Sequence, residues 1–139
     1  MKNTFFLSSL IVFFLHFAFQ SFSQKQSFEG GSLYALVQDG TTYTTVTKKP
    51  LGREVLLTYD IFFKNYSVAY FDSDGKIAGF DFNYISDCPD KTCAIYSGRG
   101  EARYYVSNLI DAIGTINFMM DQKTDGMIFN FRIEGLVKK

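Results

Sequence analysis

The chain has 139 residues and equal numbers of basic and acidic side chains, 14 of each, so its formal net charge is zero. Nucleic-acid binding needs a basic face that neutralises phosphates, and this composition supplies none. The 16 Phe and 9 Tyr carry more apolar area than an intrinsically disordered chain keeps in water, which argues against disorder.

The first 23 residues follow the order of a secretory signal peptide. Lys2 gives a positive start, residues 5–19 form an apolar run, and Ser21 and Ser23 supply small residues ahead of a cleavage point before Gln24. We therefore expect residues 1–23 to be cleaved and the protein to be secreted or periplasmic. A retained membrane anchor is the alternative, although polar residues interrupt the apolar run.

Loss of this segment would also remove His16, the only histidine of the chain. Residues 24–139 are then one domain without His or Trp. A Ser-His-Asp or Cys-His arrangement cannot be assembled from them, and a zinc site would have only Cys and carboxylates as ligands. We predict that the protein is not an enzyme and that it has no cofactor and no metal.

Three Asp-Gly dipeptides predict tight hairpin turns, because this pair supplies the positive φ that such turns need. Each dipeptide lies between two runs with strand character. The turns and their flanking strands are Asp39-Gly40 between 33–38 and 41–47, Asp74-Gly75 between 68–71 and 76–84, and Asp125-Gly126 between 116–123 and 127–133.

Between the first two hairpins, Pro50-Leu51-Gly52 predicts a turn, and a long strand is expected over about residues 53–63. Alternation predicts that one face of this strand points to the core, with Val55, Leu57, Tyr59, Ile61 and Phe63. The same period of two predicts inward faces in two later strands, with Ala78, Phe80, Phe82 and Tyr84 in one and Met127, Phe129, Phe131 and Ile133 in the other.

Cys88 and Cys93 enclose four residues. In an exported protein this pair predicts a local disulfide, since the redox spacing is C-x-x-C and no further Cys or His is present for a metal. A fourth hairpin follows, with strands at 94–96 and 102–106 around a turn at 97–101. Residues 107–114 are the one stretch that predicts a short helix, with Ser107 or Asn108 as N-cap and Gly114 as its end.

These elements predict an all-β protein, a single antiparallel domain of about eight or nine short strands with at most one short helix near 107–114. A sandwich and a small up-and-down barrel both fit the pattern. The hairpins are unevenly spaced and their sequences differ, so a repeat architecture is not expected.

Two sets of side chains are candidate functional sites. The acids Asp60, Asp72, Asp74 and Asp81 would serve a carboxylate-based hydrolase if two of them faced each other across a cleft, although turn formation and solvated strand faces explain them better. A recognition surface is the second candidate, formed by Tyr96, Arg99, Arg103, Tyr104 and Tyr105. Sheet packing is the favoured alternative for its tyrosines, and adjacent Tyr104 and Tyr105 must point to opposite faces.

The predicted function is a non-enzymatic binding or interaction module whose partner is a protein, a glycan or a small apolar ligand. The alternative is a lipocalin-like barrel that carries a small apolar ligand. Its cavity would be lined by Leu57, Tyr59, Ile61, Phe80, Phe82, Phe129 and Phe131. A hydrolase is the third reading. We expect no stable membrane insertion once the signal is removed, and the sequence names no specific ligand and no oligomeric state.

Overall fold

The computed structural model describes residues 24–39, 46–98, 100, 102–107, 114–121 and 126–139. Within these ranges the chain forms ten strands and no α-helix. The strands are β1 (Lys25–Glu29), β2 (Ser32–Asp39), β3 (Thr47–Asp60), β4 (Tyr66–Phe71), β5 (Ile77–Asp87), β6 (Cys93–Ser97), β7 (Arg103–Ser107), β8 (Ile116–Met120), β9 (Met127–Glu134) and β10 (Val137–Lys138). The predicted signal peptide, residues 1–23, lies outside the described residues.

The strands form one antiparallel sheet that closes on itself. From β2 to β9 each strand pairs with its neighbour in the chain, and β9 also pairs with β2, over Ser32↔Glu134 to Asp39↔Met127. The result is an eight-stranded up-and-down barrel, which confirms the all-β prediction and decides it in favour of the barrel. The short strands β1 and β10 pair with each other, and β1 also pairs with the second half of β3.

The Asp74-Gly75 hairpin forms as predicted, because one side chain holds the whole turn. The Asp72 carboxylate accepts hydrogen bonds from the backbone N–H groups of Asp74 and Lys76, both at 2.9 Å. Gly75 adopts a φ of 76°, which an L side chain rarely does. Strands β2 and β3 and strands β8 and β9 also pair as hairpins, while residues 40–45 and 122–125 of their turns lie outside the described residues.

The predicted turn at residues 50–52 is wrong, because these residues belong to β3. Pro50 lies opposite Tyr34, next to a register shift in β2, and a second shift falls between Arg53 and Leu56. Proline lacks a donor for the sheet and is tolerated in strands at such irregularities. The irregular segment divides the pairing of β3, whose first half lies against β2 and whose second half lies against β1.

Strand β3 also ends three residues earlier than predicted. The Asp60 carboxylate accepts hydrogen bonds from the backbone N–H groups of Phe62 at 3.0 Å and Phe63 at 2.9 Å, which turns the chain at this point. Val55 and Leu57 point inward as expected, but Ile61 and Phe63 are 40% and 57% exposed. Their predicted place in the core is wrong.

The helix prediction near 107–114 is not confirmed where it can be examined. Ser107 is the last residue of β7 rather than an N-cap, and residues 108–113 lie outside the described residues. The Gly114 carbonyl accepts a hydrogen bond from the Leu136 N–H at 3.0 Å, which ties the start of β8 to the end of β9.

The two ends of the barrel differ in their connections. The mouth end carries the β3–β4 turn (residues 61–65) and the β5–β6 loop (residues 88–92), together with the start of β1 and the end of β10. The opposite end carries the β4–β5 turn (residues 72–76) and the connection between Ser97 of β6 and Arg103 of β7.

The middle of the barrel is filled by aromatic rings. Phe82 and Phe118 stack with centroids 4.1 Å apart and an interplanar angle of 8°. Around this pair lie Phe80, Tyr104 and Phe131, whose centroids are 5.3, 5.0 and 6.3 Å from that of Phe82. Such close aromatic packing leaves no ligand space at this level.

The lipocalin-like lining predicted from the sequence is therefore largely wrong. Leu57 and Phe82 are 0% and 1% exposed and belong to the packed core, which Phe80 and Phe131 also contact. Ile61 and Phe129 are exposed. Tyr59 lines a cavity of about 410 Å³ at the mouth end, and Phe80 lines a separate one of about 380 Å³ together with residues of β3, β4 and β5.

Candidate functional site

A cavity of about 410 Å³ opens at the mouth end of the barrel. We call it the tyrosine cavity, because four of its ten lining side chains are tyrosines. The lining residues are Gln26, Phe28, Tyr59, Lys64, Tyr66, Tyr84, Asp87, Ala94, Tyr96 and Lys138.

Register brings the four tyrosines together. Tyr59 on β3 lies directly opposite Tyr66 on β4, and Tyr84 on β5 lies directly opposite Tyr96 on β6. Directly opposite residues of an antiparallel pair share a face. Each ring contacts the next around the cavity. The centroids are 4.7 Å apart for Tyr59 and Tyr66, 5.4 Å for Tyr66 and Tyr96, and 5.9 Å for Tyr84 and Tyr96.

A bulge in β5 adds an acid to the same wall. Tyr84 and Asp87 are three residues apart and would face opposite ways in a regular strand. The register shifts between Tyr84 and Ser86, and Asp87 then pairs with Ala94, which is itself 1% exposed. The bulge thus allows both Tyr84 and Asp87 to line the tyrosine cavity.

Tyr66 separates the tyrosine cavity from the packed core. Its ring lies edge-on to Phe118, with centroids 5.5 Å apart and an interplanar angle of 86°. Tyr66 is 7% exposed and Tyr96 is 1% exposed, so both rings are buried beneath the opening. The cavity therefore ends at these rings.

Burial raises the pKa of three tyrosines that line this cavity, Tyr59, Tyr66 and Tyr96. It raises the pKa of Tyr66 to about 12, with a further contribution from the nearby Tyr59. Burial also raises the pKa of Tyr96 and of Tyr59, and for Tyr59 the Lys64 ammonium opposes the increase. At neutral pH these hydroxyl groups are neutral and can donate hydrogen bonds into the cavity.

Lys64 is held against the aromatic wall by the β3–β4 turn. It adopts a φ of 57°, and its Nζ lies 4.7 Å from the centroid of the Tyr84 ring, within the range of a cation–π interaction. The neighbouring Asn65 carboxamide accepts a hydrogen bond from the Tyr84 backbone N–H at 2.8 Å. The turn is thereby attached to β5, and Lys64 has a fixed place at the cavity.

The predicted disulfide between Cys88 and Cys93 is confirmed, with their Cα atoms 5.2 Å apart. The Cys88 backbone N–H also donates to the Cys93 carbonyl at 2.9 Å, and the Lys91 N–H donates to the Cys88 carbonyl at 2.9 Å. Asp87 and Ala94, the residues just outside the disulfide, line the tyrosine cavity. The disulfide therefore fixes one side of the mouth.

The structure separates the residues of the predicted recognition surface. Tyr96 and Tyr104 point into the barrel and are 1% and 6% exposed, so they do not lie on an outer face with Arg103 and Tyr105. Arg103 is exposed and Tyr105 half-buried on the outer side of β7, and their recognition role stays a prediction. Arg99 lies outside the described residues.

The four candidate acids do not converge. Asp60 caps the β3–β4 turn at the mouth end, whereas Asp72 and Asp74 belong to the β4–β5 turn at the opposite end. Asp81 is exposed on the outer face of β5. Asp72 and Asp74 lie in the hairpin turn and Asp81 is solvated, as favoured from the sequence. Asp60, expected on a solvated strand face, is half-buried and caps a turn instead.

Sequence reasoning missed most of the tyrosine cavity. Tyr66 and Tyr84 were recognisable as sheet tyrosines, but their convergence with Tyr59 and Tyr96 depends on strand register. Lys64 and Lys138 follow no motif. They reach the cavity because a turn and a two-residue strand place them there.

Comparisons with known proteins do not assign the chain to a family. No family model matches it, and neither a curated protein nor a solved structure matches it. Among the described residues, no helix is long and apolar enough to cross a membrane. Within the described residues, the fold and the site define a small eight-stranded β-barrel that is packed in its middle and has the tyrosine cavity at its mouth end.

Proposed function

We propose that the protein is an exported, non-enzymatic binding protein that holds one small molecule in the tyrosine cavity. The observation that carries this proposal is the cavity itself. Its volume of about 410 Å³ falls within the roughly 300–1,000 Å³ typical of small-molecule sites. Its lining combines aromatic rings with a few polar groups, as such sites do.

The contrast within the barrel supports a binding role. The core next to the cavity is closely packed, with the Phe82 and Phe118 rings stacked at 4.1 Å. A barrel of this size can be filled by its own side chains, and here the filling stops at Tyr66. Large rings at the mouth surround open space instead of closing it.

Two features support export and the absence of catalysis. The Cys88–Cys93 disulfide suits the oxidising compartment that the signal-like residues 1–23 predict. The domain without this segment has no His, and the acids Asp60 and Asp72 lie at opposite ends of β4. The tyrosine cavity itself contains one acid, Asp87.

The proposal is tested with a neutral fluorescent probe, N-phenylnaphthylamine, and the purified domain. We expect saturable binding at one site with enhanced probe emission. Tyr84→Ser should weaken binding about tenfold, because it removes an aromatic wall of the cavity. Tyr105→Ser, which removes a half-buried ring on the outer face, is the matched control and should bind like the unmodified protein.

Absence of saturable binding would contradict the proposal. Equal loss of affinity in the Tyr84 and Tyr105 variants would also contradict it, because the probe would then bind the outside of the barrel. Circular dichroism of both variants checks that the barrel is folded.

A further inference from the structure

We infer that the ligand of the tyrosine cavity is a small aromatic acid, whose ring lies among the tyrosines and whose anionic group meets Lys64 and Lys138. This inference rests on the proposed binding function and adds the chemical class of the ligand. It comes from the charges at the mouth, the position of Lys64 and the shape of the aromatic lining.

The lining of the cavity carries a net positive charge. Lys64 and Lys138 are its basic residues and Asp87 is its acid. Within the described residues neither lysine is in an ion pair, whereas the adjacent Lys139 pairs with Glu29 at 3.3 Å. Two lysines beside a tyrosine-lined cavity, with no carboxylate paired to either among the described residues, favour a ligand that brings its own anion.

The position of Lys64 disfavours a cationic ligand. A tyrosine-lined cavity is also suited to a cation, which would bind over a ring face. Here the Lys64 ammonium already lies 4.7 Å from the Tyr84 centroid. A bound cation would compete with Lys64 for the ring. Lys64, Lys138 and Asp87 are all exposed to water, which screens their charges alike, and the two lysines outnumber the one acid.

The phenols add hydrogen-bond donors for an anion. Tyr66 and Tyr96 are neutral phenols at neutral pH, and burial raises the pKa of each above its ordinary value. A neutral phenol donates to a carboxylate or sulfonate, whereas a phenolate would repel it. The hydroxyl groups of Tyr66 and Tyr96 and the ammonium groups of the two lysines thus all favour an anionic group in the cavity.

The remaining lining suits a flat ring. Tyr59, Tyr66 and Tyr96 present ring faces and edges whose centroids are 4.7 and 5.4 Å apart, and Phe28 adds an apolar wall from β1. Aromatic ligands gain offset or edge-on contacts with such rings. One- or two-ring acids match these contacts and leave the anionic group near the mouth.

The test compares three probes that share one ring system and differ in charge: naphthoate, naphthamide and naphthylmethylammonium. Quenching of the protein's tyrosine emission reports binding without a Trp background, because the chain has none. We expect naphthoate to bind about tenfold tighter than naphthamide and naphthylmethylammonium to bind most weakly. Raising the salt concentration should weaken naphthoate binding and leave naphthamide binding unchanged.

Variants locate the effect. The double substitution Lys64→Gln with Lys138→Gln should remove the preference for naphthoate and keep the affinity for naphthamide. Lys76→Gln, in the β4–β5 turn at the opposite end of the barrel, is the matched control and should keep the preference.

The outcomes separate the two proposals. If naphthamide binds as tightly as naphthoate, or the ammonium binds more tightly, the inference is overturned and the binding function stands. If the preference survives in the double variant, the lysines are not its cause and the inference is also overturned. If no probe binds, the binding function fails and the inference with it.

Discussion

Two alanines show how much the surroundings of a single residue differ between the mouth and the middle of the barrel. Ala94 and Ala35 both point inward and are 1% and 5% exposed. Ala94 lines the tyrosine cavity. Ala35 lies opposite Phe131, a ring that contacts Phe80 at a centroid distance of 5.1 Å. A larger side chain would extend into the cavity at the first position and against the Phe131 ring at the second.

We therefore predict opposite effects from the same substitution. Ala94→Phe should place a ring in the cavity, abolish binding of N-phenylnaphthylamine and change the free energy of unfolding by less than about 1 kcal/mol. Ala35→Phe should overpack the core and lower that free energy by about 1–3 kcal/mol. Urea unfolding and probe titration of both variants provide the measurements. A strongly destabilised Ala94 variant would show that the cavity is not open space in solution.

At the scale of elements, the junction between β1 and β2 lets two successive strands pair along β3. Strand β2 pairs with the first half of β3 and β1 with the second half. Gly31 has a φ of 75°, and a Cβ at this position would collide with the carbonyl oxygen of Glu134. The successive strands β9 and β10 are separated at the same level by Gly135 and Leu136. Backbones approach here more closely than a side chain permits, so the junction requires glycine.

Gly75 offers a matched comparison, since its φ is 76° and nothing lies within 4 Å of an added Cβ. Gly75→Ala should cost only the backbone strain, about 1–2 kcal/mol. Gly31→Ala carries the same strain and the collision with Glu134, so it should destabilise the protein more, by at least about 2 kcal/mol beyond Gly75→Ala. Thermal and urea unfolding measure both, and equal losses would contradict the close approach.

For the whole molecule, the buried tyrosines link folding to alkaline pH. Burial raises the pKa of Tyr59, Tyr66, Tyr96 and Tyr104 above the ordinary value of 10.0. The folded state therefore holds these protons more tightly than the unfolded state, and proton linkage favours the folded state below that pH. As the pH rises above 10, the unfolded chain ionises first and the advantage is lost.

We expect the free energy of unfolding to fall as the pH rises from 10 towards about 12, the pKa of Tyr66. Tyrosinate absorbance should show one group of tyrosines that ionises in the folded protein and a second group that ionises only as circular dichroism reports loss of the barrel. Tyr66→Phe should make the decline shallower. Ionisation of all tyrosines in a single step near their ordinary pKa, without unfolding, would contradict the burial.

What the sequence predicts well is local. The Asp74-Gly75 hairpin and the Cys88–Cys93 disulfide depend on residues a few positions apart, and both formed as expected. Closure of the barrel depends on β2 meeting β9, where Asp39 pairs with Met127. No neighbouring residues encode that pairing, so the sequence left sandwich and barrel open.

The candidate site shows the same difference between local features, which the sequence predicts, and long-range contacts, which it does not. Alternation correctly placed Tyr59 and Tyr84 on inward faces, but whether an inward face meets packed rings or open space depends on strands far away in the chain. The error at Ile61 has a local cause, since hydrogen bonds to the Asp60 carboxylate end the strand where the apolar pattern continues. The alternation of apolar residues alone does not reveal that this turn competes with the strand.

Tyr66 has a consequence for how this scaffold could acquire new specificities. Its ring contacts Tyr59 and Tyr96 on one side and Phe118 on the other, so it marks the boundary between binding and packing. Substitutions on the mouth side of this boundary, at Tyr84 or Ala94, change the lining of the tyrosine cavity with little loss of core contacts. We therefore expect a selection experiment that randomises those positions to change ligand preference while the selected variants keep the fold.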